Sequence, residues 1–116
     1  MIEGPVDLAA YVRAFEPLLV RSGGDVYRAD RIFLEGSGRS ALVEMLVVEA
    51  GRKQPFYAKV SLHDRGSATV RVDPMTHPER SQGVREIVAR LAQDLLARTP
   101  GARVGATNLE LPERPR

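Results

Sequence analysis

The side chains that could support catalysis are few. The chain has 116 residues, two histidines, His63 and His77, and no cysteine. Without cysteine there is no thiolate nucleophile, no disulfide framework and no cysteine metal site. Neither histidine stands at the HxH or HExxH spacing of a zinc site, and each has a simpler role at a turn or a helix cap. We therefore predict no metal site and no cofactor.

Two further motifs resemble catalytic or phosphate-binding sites without meeting their requirements. Ser61 and His63 share one face of a predicted strand and Asp64 follows in the turn, but no Gly-x-Ser-x-Gly elbow is present. The segment 36–40, Gly-Ser-Gly-Arg-Ser, lies between two predicted strands, whereas a phosphate loop leads from a strand into a helix. No catalytic residues are assigned, and the chain is predicted not to be an enzyme.

Composition and charge exclude several classes of protein. Apolar residues make up 43% and charged residues 28%, which is globular composition, and the net charge of +2 is too small to indicate nucleic-acid binding by itself. No stretch approaches the ~20 apolar residues of a membrane span, and the first residues do not resemble a secretory signal. We expect a cytoplasmic protein with one domain over residues 1–99 and a flexible tail, containing proline and glycine, over residues 100–116.

Two helices are predicted at the ends of this domain. Apolar residues at helical spacing predict the first over residues 7–21, with Asp7 as N-cap and a kink or break near Glu16, because Pro17 follows it. The second begins with a capping box at residues 76–79 and packs an apolar stripe on the inner face of a sheet. That stripe consists of Val84, Ile87, Val88, Leu91 and Leu95. Glu86, Arg90, Asp94 and Arg98 follow one another at i,i+4 and are expected to form a solvated ladder.

Alternation with period two from Tyr27 to Asp73 predicts a four-stranded antiparallel meander, giving an α+β fold of helix, meander and helix. Opposing His63 to Ser67 keeps the apolar faces aligned and leaves a three-residue loop. Four-residue loops at 36–39 and 50–53 complete the predicted register. This register places one row across the outward face, containing Arg31, Glu44, Lys59 and Arg71.

The segment 41–48 is apolar on both sides, which indicates that both faces of its strand are covered. Beside Arg31, Lys59 and Arg71, the predicted outward face carries Tyr27, Phe33, Leu42, Leu46, Val48 and Tyr57. Three kinds of cover are possible: the first helix, a second copy of the chain, or unstacked nucleic-acid bases lying on an aromatic and basic platform.

The sequence favours a protein-interaction or adaptor module without catalytic activity, homodimeric through its sheet. The predicted self-association residues are Phe33, Leu42, Leu46, Val48 and Tyr57. The basic residues expected to contact an unidentified protein partner or an anion are Arg31, Arg52, Lys53, Lys59, Arg65 and Arg71. The alternative is a protein that binds single-stranded nucleic acid through Arg31, Tyr57, Lys59 and Arg71. A small enzyme or ligand carrier, with a pocket between the first helix and the sheet, also remains open. No membrane partner is expected.

Overall fold

The computed structural model describes residues 2–104, which form two helices and one antiparallel sheet. The helices are α1 (Leu8–Ala14) and α2 (Gln82–Ala97). The strands are β1 (Ile2–Glu3), β2 (Leu18–Ser22), β3 (Asp25–Leu34), β4 (Ser40–Glu49), β5 (Arg52–Leu62), β6 (Ala68–Val72) and β7 (Arg103–Val104). Their order in the sheet is β2-β3-β4-β5-β6-β1-β7. The α+β class and the central meander are confirmed, but the sheet has more strands than the four predicted.

The first helix is shorter than predicted. Asp7 is its N-cap, as expected, and its side chain accepts a hydrogen bond from Ala10 N at 3.0 Å. The helix ends at Ala14 because Pro17 can neither donate a ladder hydrogen bond nor let the residue before it remain helical. Residues 18–21, predicted to be helical, instead form β2 together with Ser22 and pair with β3 across a two-glycine turn.

A β-bulge in β3 reverses the face that its first half presents. The β3–β4 register shifts between Ala29 and Arg31 and leaves Asp30 without a partner. One inserted residue changes the parity of the alternation. Tyr27, predicted on the outward face, therefore points toward the helices and is only 3% exposed. That assignment was wrong, because it assumed a strict period of two along the whole strand, and the inserted residue breaks this period.

The β4–β5 register also differs from the prediction, by two residues. Ala50 and Gly51 alone form the turn, with φ angles of 50° and 77°, and both lie in the left-handed region that two-residue type I′ hairpins require. Glu44 consequently lies opposite Tyr57, and Lys59 lies opposite Leu42. The predicted row of three cations around Glu44 is thus wrong, although a shift by an even number leaves each side chain on its predicted face.

The other two hairpin registers are confirmed. Across the loop at 36–39, Glu35 N donates to Ser40 O at 2.9 Å, and Arg31 lies opposite Glu44. Across the β5–β6 loop, His63 N donates to Ser67 O at 2.8 Å. Lys59 lies opposite Arg71, as predicted.

We expect Ala50→Asn to stabilise the protein by about 0.5–1 kcal/mol, because asparagine tolerates the left-handed conformation that alanine adopts there at a cost. Ala50→Val is the matched control and should destabilise, because a β-branched side chain opposes a positive φ. Urea unfolding midpoints of the three proteins test the ranking. A valine variant as stable as the asparagine variant would show that Ala50 is not held in this conformation.

The second helix begins later than predicted. Its N-cap is Ser81, whose hydroxyl accepts from Val84 N at 3.3 Å, and not Thr76. The Thr76 hydroxyl donates to Asp73 O at 3.0 Å and so serves the preceding loop. The predicted apolar stripe is buried throughout. Of the predicted charge ladder, the described residues form only the Asp94–Arg98 pair.

Both helices pack on the same face of the sheet, here called the inner face. Leu8 and Tyr11 of α1 join the apolar stripe of α2 in one core with the inward residues of β3, β4, β5 and β6. At Gly83 the helix lies close against the sheet, since an added Cβ would lie 2.6 Å from the Tyr27 ring and 2.8 Å from Val47. The core therefore lies entirely between the helices and the inner face.

The predicted tail is only partly within the described residues. Arg103 and Val104 form β7 and pair with β1 at one margin of the sheet. A short strand therefore stands at the start of the segment predicted to be flexible. The rest of that segment, residues 105–116, lies outside the described residues.

Candidate association surface

The opposite face of the sheet, here called the outer face, carries a group of apolar side chains. The register places them in adjacent rows: Val26 beside Val48, Leu46 beside Pro55, Glu44 beside Tyr57, and Phe33 beside Leu42. Leu19 of β2 lies at the margin, opposite Arg28. The apolar members are Leu19, Val26, Phe33, Leu42, Leu46, Val48, Pro55 and Tyr57.

No helix among residues 2–104 covers this face. Leu19 and Phe33 are 54% and 47% exposed, and Leu42, Leu46 and Val48 are each partly exposed. None of these five belongs to the core that contains the residues of α1 and α2. The first helix therefore does not cover this face, which was one of the three kinds of cover considered from the sequence.

An ion pair occupies the middle of the outer face. Arg31 Nη2 lies 2.8 Å from Glu44 Oε2, and Arg31 Nε donates to Glu44 Oε1 at 3.4 Å, so the guanidinium contacts both carboxylate oxygens. The Arg31 guanidinium carbon also lies 5.8 Å from the ring centre of Phe33. The hydrogen bond to Glu44, followed by its negative charge, raises the pKa of Arg31. The pair places little net charge at the centre of this face.

Arg28 lies between Leu19 and Leu46 within the outer face and pairs with Asp30, its Nε 3.5 Å from Asp30 Oδ1. The remaining cations of this face lie around its apolar group. Lys59 Nζ is 3.9 Å from Glu35 Oε1, a loose pair at the end of the Phe33–Leu42 row. Arg21, Lys53 and Arg71 form no ion pair with any residue that the structure describes. Each stands at the end of a row, so the outer face has a neutral apolar centre and a basic border.

The remaining predicted contact residues do not form one site. Arg52 is paired with Glu79 at 2.8 Å, next to the β4–β5 turn. Arg65 lies in the β5–β6 loop with a φ of 69°, at the opposite end of β5. Arg52 and Lys53 are neighbours, but the length of a strand separates them from Arg65.

The residues considered for catalysis or metal binding are not arranged for either. The His63 ring contacts the Thr69 hydroxyl and makes no hydrogen bond to Ser61. Within residues 2–104, no group of three or more histidine, aspartate and glutamate side chains is close enough to hold a metal ion. The described part of the chain also contains no helix long and apolar enough to cross a membrane.

A cluster that the sequence did not predict joins the two helices. Tyr11 Oη donates to Asp94 Oδ2 at 2.6 Å, and Arg98 Nε lies 3.2 Å from Asp94 Oδ1. Arg98 Nη1 also donates to Ala14 O at 3.0 Å, at the end of α1. Burial, together with the hydrogen bond and charge of Asp94, raises the pKa of Tyr11. The cluster is satisfied by its own members and holds α1 against α2.

We expect Tyr11→Phe to lower the free energy of unfolding by about 1–2 kcal/mol at neutral pH, because the hydrogen bond to Asp94 is lost. The raised pKa favours the neutral phenol in the folded state. The stability contributed by the neutral Tyr11 phenol is fully present below the unfolded tyrosine pKa of about 10 and declines above it. The wild type should therefore lose stability more steeply than the variant above about pH 10. Urea unfolding from neutral to alkaline pH measures both effects, and parallel curves would contradict this account.

No protein family, curated protein or solved structure matched this chain in the comparisons made.

Proposed function

We propose that the protein is a non-catalytic interaction module that forms a homodimer by packing the outer faces of two sheets together. The observation that carries the proposal is the exposed apolar group on the sheet face opposite both helices. Contiguous apolar patches on a protein surface commonly mark association sites. Two such faces, packed about 10 Å apart, would bury the apolar side chains of both copies.

The arrangement of charge favours a second copy as the occupant. The charges within the apolar group are paired inside one chain, because Arg31 satisfies Glu44 and Arg28 lies 3.5 Å from Asp30. An identical face can therefore approach without burying an unpaired charge, whose desolvation would oppose association. Strand β4 is third of the five strands β2 to β6, so its outward residues Leu42 and Leu46 lie in the middle of the surface. A two-fold axis near β4 would bring the neutral centres together and leave the basic borders in solvent.

Basic residues outside this contact remain available to a second protein. Lys53 stands at the border of the outer face, and Arg65 lies in an exposed loop. Arg52 forms an exposed ion pair with Glu79 at 2.8 Å. These residues suit an acidic partner, which would leave the apolar centre to the dimer.

Light scattering over a range of concentrations tests this proposal. The wild type should have twice the 12.8 kDa mass of one chain at high micromolar concentration. Arg31→Glu and Glu44→Arg should each weaken the dimer, because each places two like charges together in the apolar centre. The double exchange, R31E with E44R, restores the pair and should recover the dimer. A wild type that stays monomeric throughout would overturn the proposal.

Binding of single-stranded nucleic acid is the second candidate, and the basic border favours it. Lys53 and Arg71 share the outer face with the aromatic rings of Phe33 and Tyr57. The platform has few aromatic residues, and Glu44 already holds Arg31. This function predicts salt-dependent binding of an oligothymidine that Lys59→Ala or Arg71→Ala weakens. Fluorescence anisotropy at low salt checks it, and an unchanged signal would remove it.

A further inference from the structure

One margin of the sheet presents unpaired backbone groups. β2 is the last strand on its side, and no residue within 2–104 pairs with its free edge. Ser22 lies opposite Asp25 across the two-residue turn, so Ser22, Val20 and Leu18 make the hydrogen-bonded pairs with β3. The amide and carbonyl groups of Leu19 and Arg21 consequently point outward along the free edge.

A groove runs beside this edge. With a volume of about 550 Å³, it is lined by Leu18, Leu19 and Val20 of β2 together with a face of α2. Successive strand residues point to opposite faces of a sheet, so a groove that touches all three must follow the edge of β2. The α2 residues are Arg90, Gln93, Asp94 and Ala97, which share one helix face by their spacing. A strand edge beside a helix is the geometry that accepts an added peptide strand.

The charges around the groove favour an acidic occupant. Asp94 is engaged by Tyr11 and Arg98, so its carboxylate is neutralised from within the chain. Arg90 is exposed and forms no ion pair with any other described residue, and the same holds for Arg21 on the edge strand. The unpaired charge at this site is therefore positive on both the helix side and the strand side.

We infer that the β2 edge binds an extended, acidic segment of a partner protein as an additional strand. Its backbone would bond to the outward groups of Leu19 and Arg21, with carboxylates on the helix side near Arg90 and the alternate apolar side chains on the outer side beside Leu19. Pro17 and the Gly23–Gly24 turn limit the edge to the five residues of β2. The site lies beside the outer face and does not require the homodimer.

The test uses a ¹⁵N-labelled Leu46→Asp variant, in which the outer faces should not associate, and a synthetic pentapeptide of alternating valine and glutamate. Titration to millimolar peptide should shift the amide signals of Leu19 and Arg21. A peptide with lysine in place of glutamate should bind at least about tenfold more weakly. Arg90→Glu should reverse that preference. Leu19→Pro should lower affinity for the acidic peptide at least about tenfold, because proline removes an outward N–H donor without removing a hydrogen bond to β3.

Three results would overturn the inference. In the first, the acidic peptide leaves the Leu19 and Arg21 amide signals unshifted. In the second, Arg90→Glu leaves the preference between the two peptides unchanged. In the third, the Leu46→Asp protein remains dimeric in light scattering while Leu19→Pro makes it monomeric, which would show a second copy on the edge. A monomeric wild type would instead reject only the outer-face dimer, so the two proposals fail separately.

Discussion

Leu46→Asp is expected to raise the dissociation constant of the homodimer at least about 30-fold. Leu46 lies on the central strand of the outer face, with Pro55 beside it on β5. Burying an unpaired carboxylate at the centre of an apolar contact removes a favourable interaction and adds a desolvation penalty. Central contact residues of this kind contribute about 2 kcal/mol or more, which corresponds to this factor. Sedimentation equilibrium of wild type and variant measures the change.

The fold of a single chain should tolerate this substitution. Leu46 is partly exposed on the side away from both helices and is not a member of their core. Gln82→Asp is the matched control, because Gln82 is exposed at the start of α2, on the side of the sheet opposite the outer face. It should leave the dissociation constant unchanged. Equal effects of the two substitutions would show that association does not use the outer face.

Leu91→Ala is expected to lower the free energy of unfolding by about 2–5 kcal/mol, the range for a buried leucine whose loss leaves a cavity. Leu91 is completely buried in the middle of α2, where the helix meets the inner face. Small domains have a total stability of only about 5–15 kcal/mol, so much of the margin would disappear. Urea unfolding followed by far-ultraviolet circular dichroism provides the value.

The control for that measurement is Met75→Ala, which removes a comparable side chain from an exposed position and should change stability by less than about 0.5 kcal/mol. Any dimer must be dissociated first, so both variants are best compared in the Leu46→Asp background. A loss below about 1 kcal/mol for Leu91→Ala would contradict the packing of α2 against the sheet.

Periodic patterns were the most informative part of the sequence. The alternation over β5 and β6 was strong enough to predict the pairing of Val60 with Val70, and the apolar stripe of α2 was predicted residue by residue. These predictions succeed because burial of one face is a repeated constraint, which many residues satisfy together. The opposite face of the sheet could therefore be predicted as well, apart from Tyr27.

The periodic patterns did not predict features that depend on single residues. The bulge at Asp30 reversed Tyr27 without leaving a signal in composition. The tight turn at Ala50 and Gly51 was missed because alanine is uncommon at a positive φ, so a longer loop was predicted. The contact of Tyr11 with Asp94 joins distant parts of the chain, and only the packing of α1 against α2 creates it. Pro17 did carry a signal: of the kink or break predicted near Glu16, the helix shows the break and ends at Ala14.

A spin label at residue 46 tests the central claim most directly, because the chain has no cysteine and Leu46→Cys would provide a single attachment site. Packed outer faces about 10 Å apart would bring the two labels of a dimer close together. The account predicts dipolar broadening of the spectrum that disappears on dilution with unlabelled protein. A label at Gln82→Cys, exposed on α2 on the opposite side of the sheet, serves as the distant control. A spectrum without broadening at residue 46, under conditions where light scattering shows a dimer, would contradict association through the outer face.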